Sequence, residues 1–266
     1  MDIYTEIVKA KRDRKPIALA VVTQTMGPAP RKAGSKMLVF PDGSIFGTIG
    51  GGILEDRVIK TAIQSLQDHQ VKYLRYNLNN EKPSKNTNQE HLGMICGGNM
   101  ELYIEPILPE PRLYLFGAGH ISQSLAQMAH LVGFEIIVID PDKTYANRTR
   151  FPKSIVQQVI VSGFKKAVNT IQFDASSYIA ILTRSHVGDT ETLTACLRKS
   201  RPVAYLGMIG SNHKIKTVFA KLAQSGIPKK TIKLVHAPIG LDIGAQTPEE
   251  IAVSILAELI AVKYRK

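Results

Sequence analysis

The stretch LYLFGAGHISQSLAQMAHLVGFEIIVID, residues 113–140, constrains the fold more than any other part of the chain. LYLF is a short apolar run of strand type. A Gly117-x-Gly119 turn follows, then an amphipathic helical pattern, then a second apolar run that ends in an acid, Asp140. Parallel strands need a crossover, usually a helix, so this order predicts a βαβ unit. The pattern continues with strands at QVIV, YIAILT and VAYLG and helices over 191–199 and 214–225. This half of the chain is expected to form a doubly wound parallel sheet of Rossmann-like type. Its last helix has an explicit start. Thr247 is placed to N-cap, Pro248 takes the first helical position and Glu250 completes a capping box.

Upstream of LPEPR, whose prolines break both helix and strand, the pattern differs. A short amphipathic helix over 3–11 precedes strands at PIALAVVTQT, MLVF and SIFGTIG. Ile53, Leu54, Val58, Ala62, Ile63 and Leu66 then recur at helical spacing. VKYLRYNL and MELYIEPI read as strands, and the polar NNEKPSKNTNQEH between them as a loop. The expected fold class is α/β: a small α+β domain over 1–108, then the Rossmann-like domain over 109–266. A chain of 266 residues accommodates both.

Composition narrows the function classes. A net charge of +12 raises nucleic acid as a partner, but the basic residues are scattered and tryptophan is absent, which supplies no base-stacking platform. A solvated basic surface, an anionic ligand or an acidic partner fits better, so nucleic acid is not expected. Two cysteines point to a reduced, cytoplasmic protein. No apolar run is long enough to cross a membrane, and the N-terminus lacks the apolar core of a secretory signal.

Three features carry candidate chemistry. In GTIGGGILED, residues 47–56, four glycines fall within six residues ahead of a helix. Such a turn exposes backbone amides at a positive helix end, so Gly50, Gly51 and Gly52 suit an anion, with Arg31 and Lys32 of GPAPRKAGSK as cations for the same anion. A tight packing turn is the other reading, although it uses only one or two glycines. Glu55 and Asp56 lie in the first turn, where acids can complement the dipole, the reading preferred for Asp56. Cys96, in CGG with Gly97 and Gly98, is an accessible thiol that can serve as a soft metal ligand or a sulfur acceptor. Cys196, on the apolar side of a helix, reads as packing. In the third feature, Gly117 and Gly119 suit a pyrophosphate and Asp140 a ribose. Ser122 replaces the third glycine of that fingerprint, which leaves either a dinucleotide or another ligand. His120 follows the glycines, facing the crevice or bonding locally. His186 in TRSHVGD lies at the carboxyl edge, and Asp189 reads as the cap of the next helix.

Taken together, GPAPRKAGSKMLVFPDGSIFGTIGGGILE, MICGGNMELYIEP, LYLFGAGHIS, GFEIIVIDPD, RFP, LGMIGS and PIGLDIGAQTPEEIAVSILAELIA resemble the XdhC/CoxI family. These are accessory proteins of xanthine dehydrogenase and related molybdenum hydroxylases, and the resemblance runs over residues 21–262. It implies a factor that binds molybdenum cofactor, as molybdopterin or its dinucleotide form, supports its sulfuration and inserts it into the apo-hydroxylase. A cysteine desulfurase as second partner and a homodimer go with that reading. Carried over by motif, Cys96 becomes the metal-proximal ligand or sulfur relay, and Gly50, Gly51 and Gly52 the GGG turn. Gly117 and Gly119 match the GAG turn, Gly207, Gly210 and Ser211 the second glycine pair, and Gly240, Asp242 and Gly244 the PIGLDIGA signature. TRSHVGD keeps His186 but loses the earlier histidine of the commoner THDHALD. The resemblance implies a carrier rather than a catalyst. The alternative, an oxidoreductase using NAD(P), needs a hydride-transfer constellation that the sequence does not display.

Overall fold

The computed structural model describes residues 2–78, 90–91, 98–199 and 203–264. The chain divides into two compact units, Met1–Pro109 and Glu110–Lys266.

Unit 1 begins with α1 (Ile3–Arg12) and the long strand β1 (Ile17–Met26). β2 (Lys36–Val39), β3 (Ile45–Gly47), α2 (Gly52–Asp68), β4 (Lys72–Asn77), β5 (Glu90–His91) and β6 (Asn99–Ile107) complete it. The sheet order is β3-β2-β1-β6-β4-β5, antiparallel except between β4 and β5. The apolar run of β1 is continuous because both its faces are covered. Ala18, Ala20 and Val22 join the α2 side with Leu54, Val58 and Ala62, whereas Ile17 packs with Ala10 and Leu38 on the α1 side. Burying a side chain such as Leu54 or Val58 contributes about 1.5–3 kcal/mol, and this face holds α2 on the sheet. The expected loop NNEKPSKNTNQEH lies outside the described residues, except that Glu90 and His91 are a short strand paired with β4.

Unit 2 alternates as its sequence predicts. β7 (Arg112–Phe116), α3 (His120–Leu131), β8 (Glu135–Asp140), β9 (Gln158–Val161), α4 (Phe164–Thr170) and β10 (Ser177–Ile181) come first. α5 (His186–Arg198), β11 (Tyr205–Met208), α6 (Asn212–Gln224), α7 (Lys229–Ile232) and α8 (Pro248–Lys263) follow. Five parallel strands lie in the order β11-β10-β7-β8-β9. The chain moves outward from β7 through β8 to β9, then returns to the other side of β7 for β10 and β11, so the switch point lies between β7 and β10. One face buries residues of α3 and α8, the other residues of α4, α5 and α6, as a doubly wound sheet requires.

The α8 capping box is present, with Thr247 accepting from Glu250 N and the Glu250 carboxylate accepting from Thr247 N. A cap of this kind contributes about 1 kcal/mol. Three helices differ from expectation. α4 and α7 are short and carry too little periodicity to stand out, and α5 begins at His186 because Ser185, not Asp189, is its N-cap.

Candidate functional site

In unit 1 the glycine turn holds an anion that the chain supplies itself. Oε1 of Glu55 accepts from the amides of Ile49, Gly50 and Gly51 at 3.0, 3.2 and 2.9 Å, and from the Thr48 hydroxyl. Positive φ angles of 138° and 78° at Gly50 and Gly51 turn these consecutive amides toward one point, a conformation that favours glycine. Burial pushes the Glu55 carboxyl up, but the Thr48 hydroxyl and the three amides outweigh it and hold the carboxyl below its ordinary range. The expected anion cradle is thus occupied by Glu55 of the first turn, for which dipole complementation was one reading. Gly52 opens α2 with open space beside it.

Glu55→Gln is expected to lower stability at neutral pH by about 1–2 kcal/mol, because several bonds lose their charged acceptor. Since the native carboxyl is depressed, the advantage over the variant is full above the ordinary glutamate value of about 4.3. It disappears as the pH falls through the depressed value. Urea titrations of both proteins from pH 7 into acid check this.

One loop joins the glycine segments of unit 1. A side chain at Gly50 would meet Pro30 at 2.6 Å, and one at Gly98 would meet the carbonyl oxygens of Pro28 and Met26 at 2.5 and 2.6 Å. The segment from Met26 to Pro30 therefore touches both the GGG turn and the glycine that ends CGG. Arg31 and Lys32 continue this loop and are exposed. Cys96 and Gly97 lie outside the described residues. Among the described residues, no three His, Cys, Asp or Glu side chains gather as a metal-binding group. Cys196 is buried, and burial pushes its thiol up to about 12, as suits a packing residue.

At the carboxyl edge of unit 2, the nucleotide fingerprint is bound up with the protein's own contacts. A side chain at Gly117 would lie against the Leu182 carbonyl, 2.7 Å from its carbon, so this glycine lets β7 and β10 end side by side. Ser122 is buried and its hydroxyl donates to Gly117 O at 2.6 Å, giving the replaced glycine a bonding role. Asp140 departs from expectation. It is 3% exposed, its Oδ2 accepts from Ala118 N and its Oδ1 from Asp142 N, both at 2.9 Å. The acid pins the turn rather than presenting itself to a ribose. Gly119 caps α3 beside open space, and His120 is exposed at the helix start.

The remaining motif residues separate. His186 is the first residue of α5. Gly207 is buried within β11, where an added Cβ would meet the Tyr205 hydroxyl and the Ile239 side chain. Gly210 makes room for the stem of Lys214, and Ser211 is the N-cap of α6. Gly240 packs on α8, while Asp242 is exposed.

Two polar clusters have no local signal in the sequence. Asp189 is fully buried, accepts from the Thr183 hydroxyl at 2.6 Å and forms an ion pair with Lys214 of α6. Glu258 accepts from the Tyr205 hydroxyl, from Gly240 N at 2.8 Å, and contacts Nδ1 of His236 at 2.8 Å. Burial pushes its carboxyl up, but Tyr205, His236 and the Gly240 amide hold it below its ordinary range. Residues 205, 236, 240 and 258 are too far apart in the chain for any spacing rule to join them.

Fold and site define a two-unit protein: an antiparallel unit with a glycine-lined loop, and a Rossmann-like unit. Residues 10–77 match the model of the XdhC and CoxI family, and residues 113–259 that of the XdhC Rossmann domain. The chain belongs to the XdhC and CoxI family. It is 36% identical over 263 residues to YqeB, an uncharacterized protein of Escherichia coli K12, covering 99% of this chain and 46% of YqeB. It is 34% identical over 164 residues to a probable xanthine dehydrogenase subunit of Bacillus subtilis 168, covering 62% and 46%. It thus spans about half the length of these two relatives. PaoD of Escherichia coli K12, a molybdenum cofactor insertion chaperone, is 21% identical over 302 positions, covering 97% and 87%. The crystal structure of a xanthine dehydrogenase from Bacillus halodurans shares the fold, with a TM-score of 0.52 at 23% identity over 100% of this chain and 97% of that one. No described helix is long and apolar enough to cross a membrane.

Proposed function

We propose that the chain is an accessory factor of a xanthine dehydrogenase-like molybdenum hydroxylase. It takes molybdenum cofactor as cargo, supports its sulfuration and passes it to the apo-enzyme. The observation that carries this reading is the loop from Met26 to Pro30, which touches both Gly98, two residues beyond Cys96, and Gly50 of the GGG turn. A pterin with a dithiolene-bound metal and a phosphate needs a soft ligand at one end and cations at the other. Cys96 is the soft ligand, and the exposed Arg31 and Lys32 meet the phosphate. The amides of Ile49, Gly50 and Gly51 are left out of this assignment because Glu55 already holds them. Kinship with PaoD and with the Bacillus subtilis protein supports the reading.

The test is co-expression in a host that makes the cofactor, followed by purification and assay of molybdenum and of oxidised-pterin fluorescence. Cys96→Ala is expected to keep the circular dichroism of the parent and lose its molybdenum. A purified variant with unchanged metal content overturns the role of Cys96, and a parent chain that carries no pterin overturns the function. The oxidoreductase alternative draws no support from Asp140, whose two oxygens are tied to backbone amides.

A further inference from the structure

At the carboxyl edge of unit 2, two guanidinium groups meet on one aromatic ring. The Arg184 guanidinium carbon lies 3.7 Å from the centroid of Tyr145, and that of Arg150 lies 5.4 Å from the same centroid. Neither arginine is well supplied with acceptors among the described residues. Arg184, 53% exposed in the loop between β10 and α5, reaches Asp140 Oδ1 and Asp142 Oδ2 only at 3.9 Å each, beyond hydrogen-bond length. The Arg150 guanidinium makes one long bond among the described residues, 3.4 Å from Nη2 to Ala118 O, which ties it to the Gly117–Gly119 turn. Its Nε is buried with no acceptor among the described residues.

Arginine carries five donors in a planar fork and cannot give up its charge, so a buried unpaired Nε–H is costly. Two such forks held near one ring also repel each other. Asp140 and Asp142 give Arg184 only long ion pairs, since their oxygens are drawn toward Ala118 N, the Asp142 amide and Thr144, and no acceptor among the described residues reaches Arg150 Nε. The cluster has more donors than acceptors, beside a Gly119 that has open space.

We propose that this rim is a site for a phosphate-bearing ligand, with Arg150 and Arg184 taking the phosphate oxygens and Tyr145 orienting the two forks. Planar bidentate donors match phosphate geometry. Recognition of a ribose diol by Asp140 has no part in it. The site uses only residues of unit 2 and does not depend on the molybdenum reading.

Calorimetric titration of the full chain with inorganic pyrophosphate, ADP and NAD tests it. Pyrophosphate and ADP are expected to bind alike, with affinity that falls as salt rises, and NAD no more tightly than ADP. Arg184→Gln and Arg150→Gln each reduce pyrophosphate affinity about tenfold or more, the loss expected for a charge-assisted hydrogen bond. Asp140→Asn lowers the melting temperature and leaves the relative affinities of the three probes unchanged. Circular dichroism shows whether each variant is folded, and Arg184, being half exposed, is the variant least able to disturb the core. The proposal is overturned if the parent chain binds no pyrophosphate, if folded Arg184→Gln binds it as tightly as the parent, or if Asp140→Asn changes the preference for NAD.

Discussion

Lys214→Met is expected to lower the stability of unit 2 by about 3–5 kcal/mol, the cost of stranding a buried charge. Asp189 has no exposed surface, and beyond Lys214 its named partner is the Thr183 hydroxyl. The variant keeps the apolar stem that lies along Gly210 and removes only the charge. Lost packing is thereby separated from lost pairing. The double variant Asp189→Asn with Lys214→Met removes both charges and is expected to recover much of the loss. Urea-unfolding midpoints of the parent, the two single variants and the double variant close the cycle. If Lys214→Met unfolds at the same urea concentration as the parent, the pair contributes nothing measurable.

Gly117→Ala has the second large effect. The position has φ of 110°, outside the range comfortable for an L-residue, and an added Cβ runs into the Leu182 carbonyl. Both neighbours are backbone at the end of central strands, so neither can swing aside, and a loss of about 3 kcal/mol or more is expected. Gly119→Ala, two residues later, is the control. It meets nothing within 4 Å, and its φ of −74° suits alanine, so its melting temperature is expected to stay close to that of the parent. A Gly117→Ala protein as stable as Gly119→Ala contradicts the close approach of β7 and β10.

These contrasts show what could be read from the sequence. The parallel sheet was legible because its strands are continuous apolar runs with one helix between successive strands at β7, α3 and β8, and the capping box of α8 was legible because its partners are three residues apart. The presence of an anion cradle before α2 was also legible, since clustered glycines expose amides. Its occupant was not, because Glu55 reads equally well as a dipole partner until the backbone turns three amides upon it. Asp140 shows the converse. The fingerprint places an acid at the end of β8, but whether it faces a ligand or the turn depends on Ala118 N, 22 residues away. Likewise Asp189 looked like a cap because nothing local reveals Lys214, which arrives from α6. Spacing rules capture contacts along one element and miss those made between elements.

The hold of Glu55 on its three amides also fixes an affinity scale. Any anion that uses those amides competes with a carboxylate tethered four residues from Gly51, at an effective concentration that no dilution lowers. Its apparent dissociation constant rises by the factor that Glu55 occupancy imposes, about tenfold for each 1.4 kcal/mol of that hold. The turn therefore discriminates by the contacts an anion makes elsewhere: one that binds these amides alone loses to the tethered carboxylate, and only an anion that brings further contacts of its own can take its place.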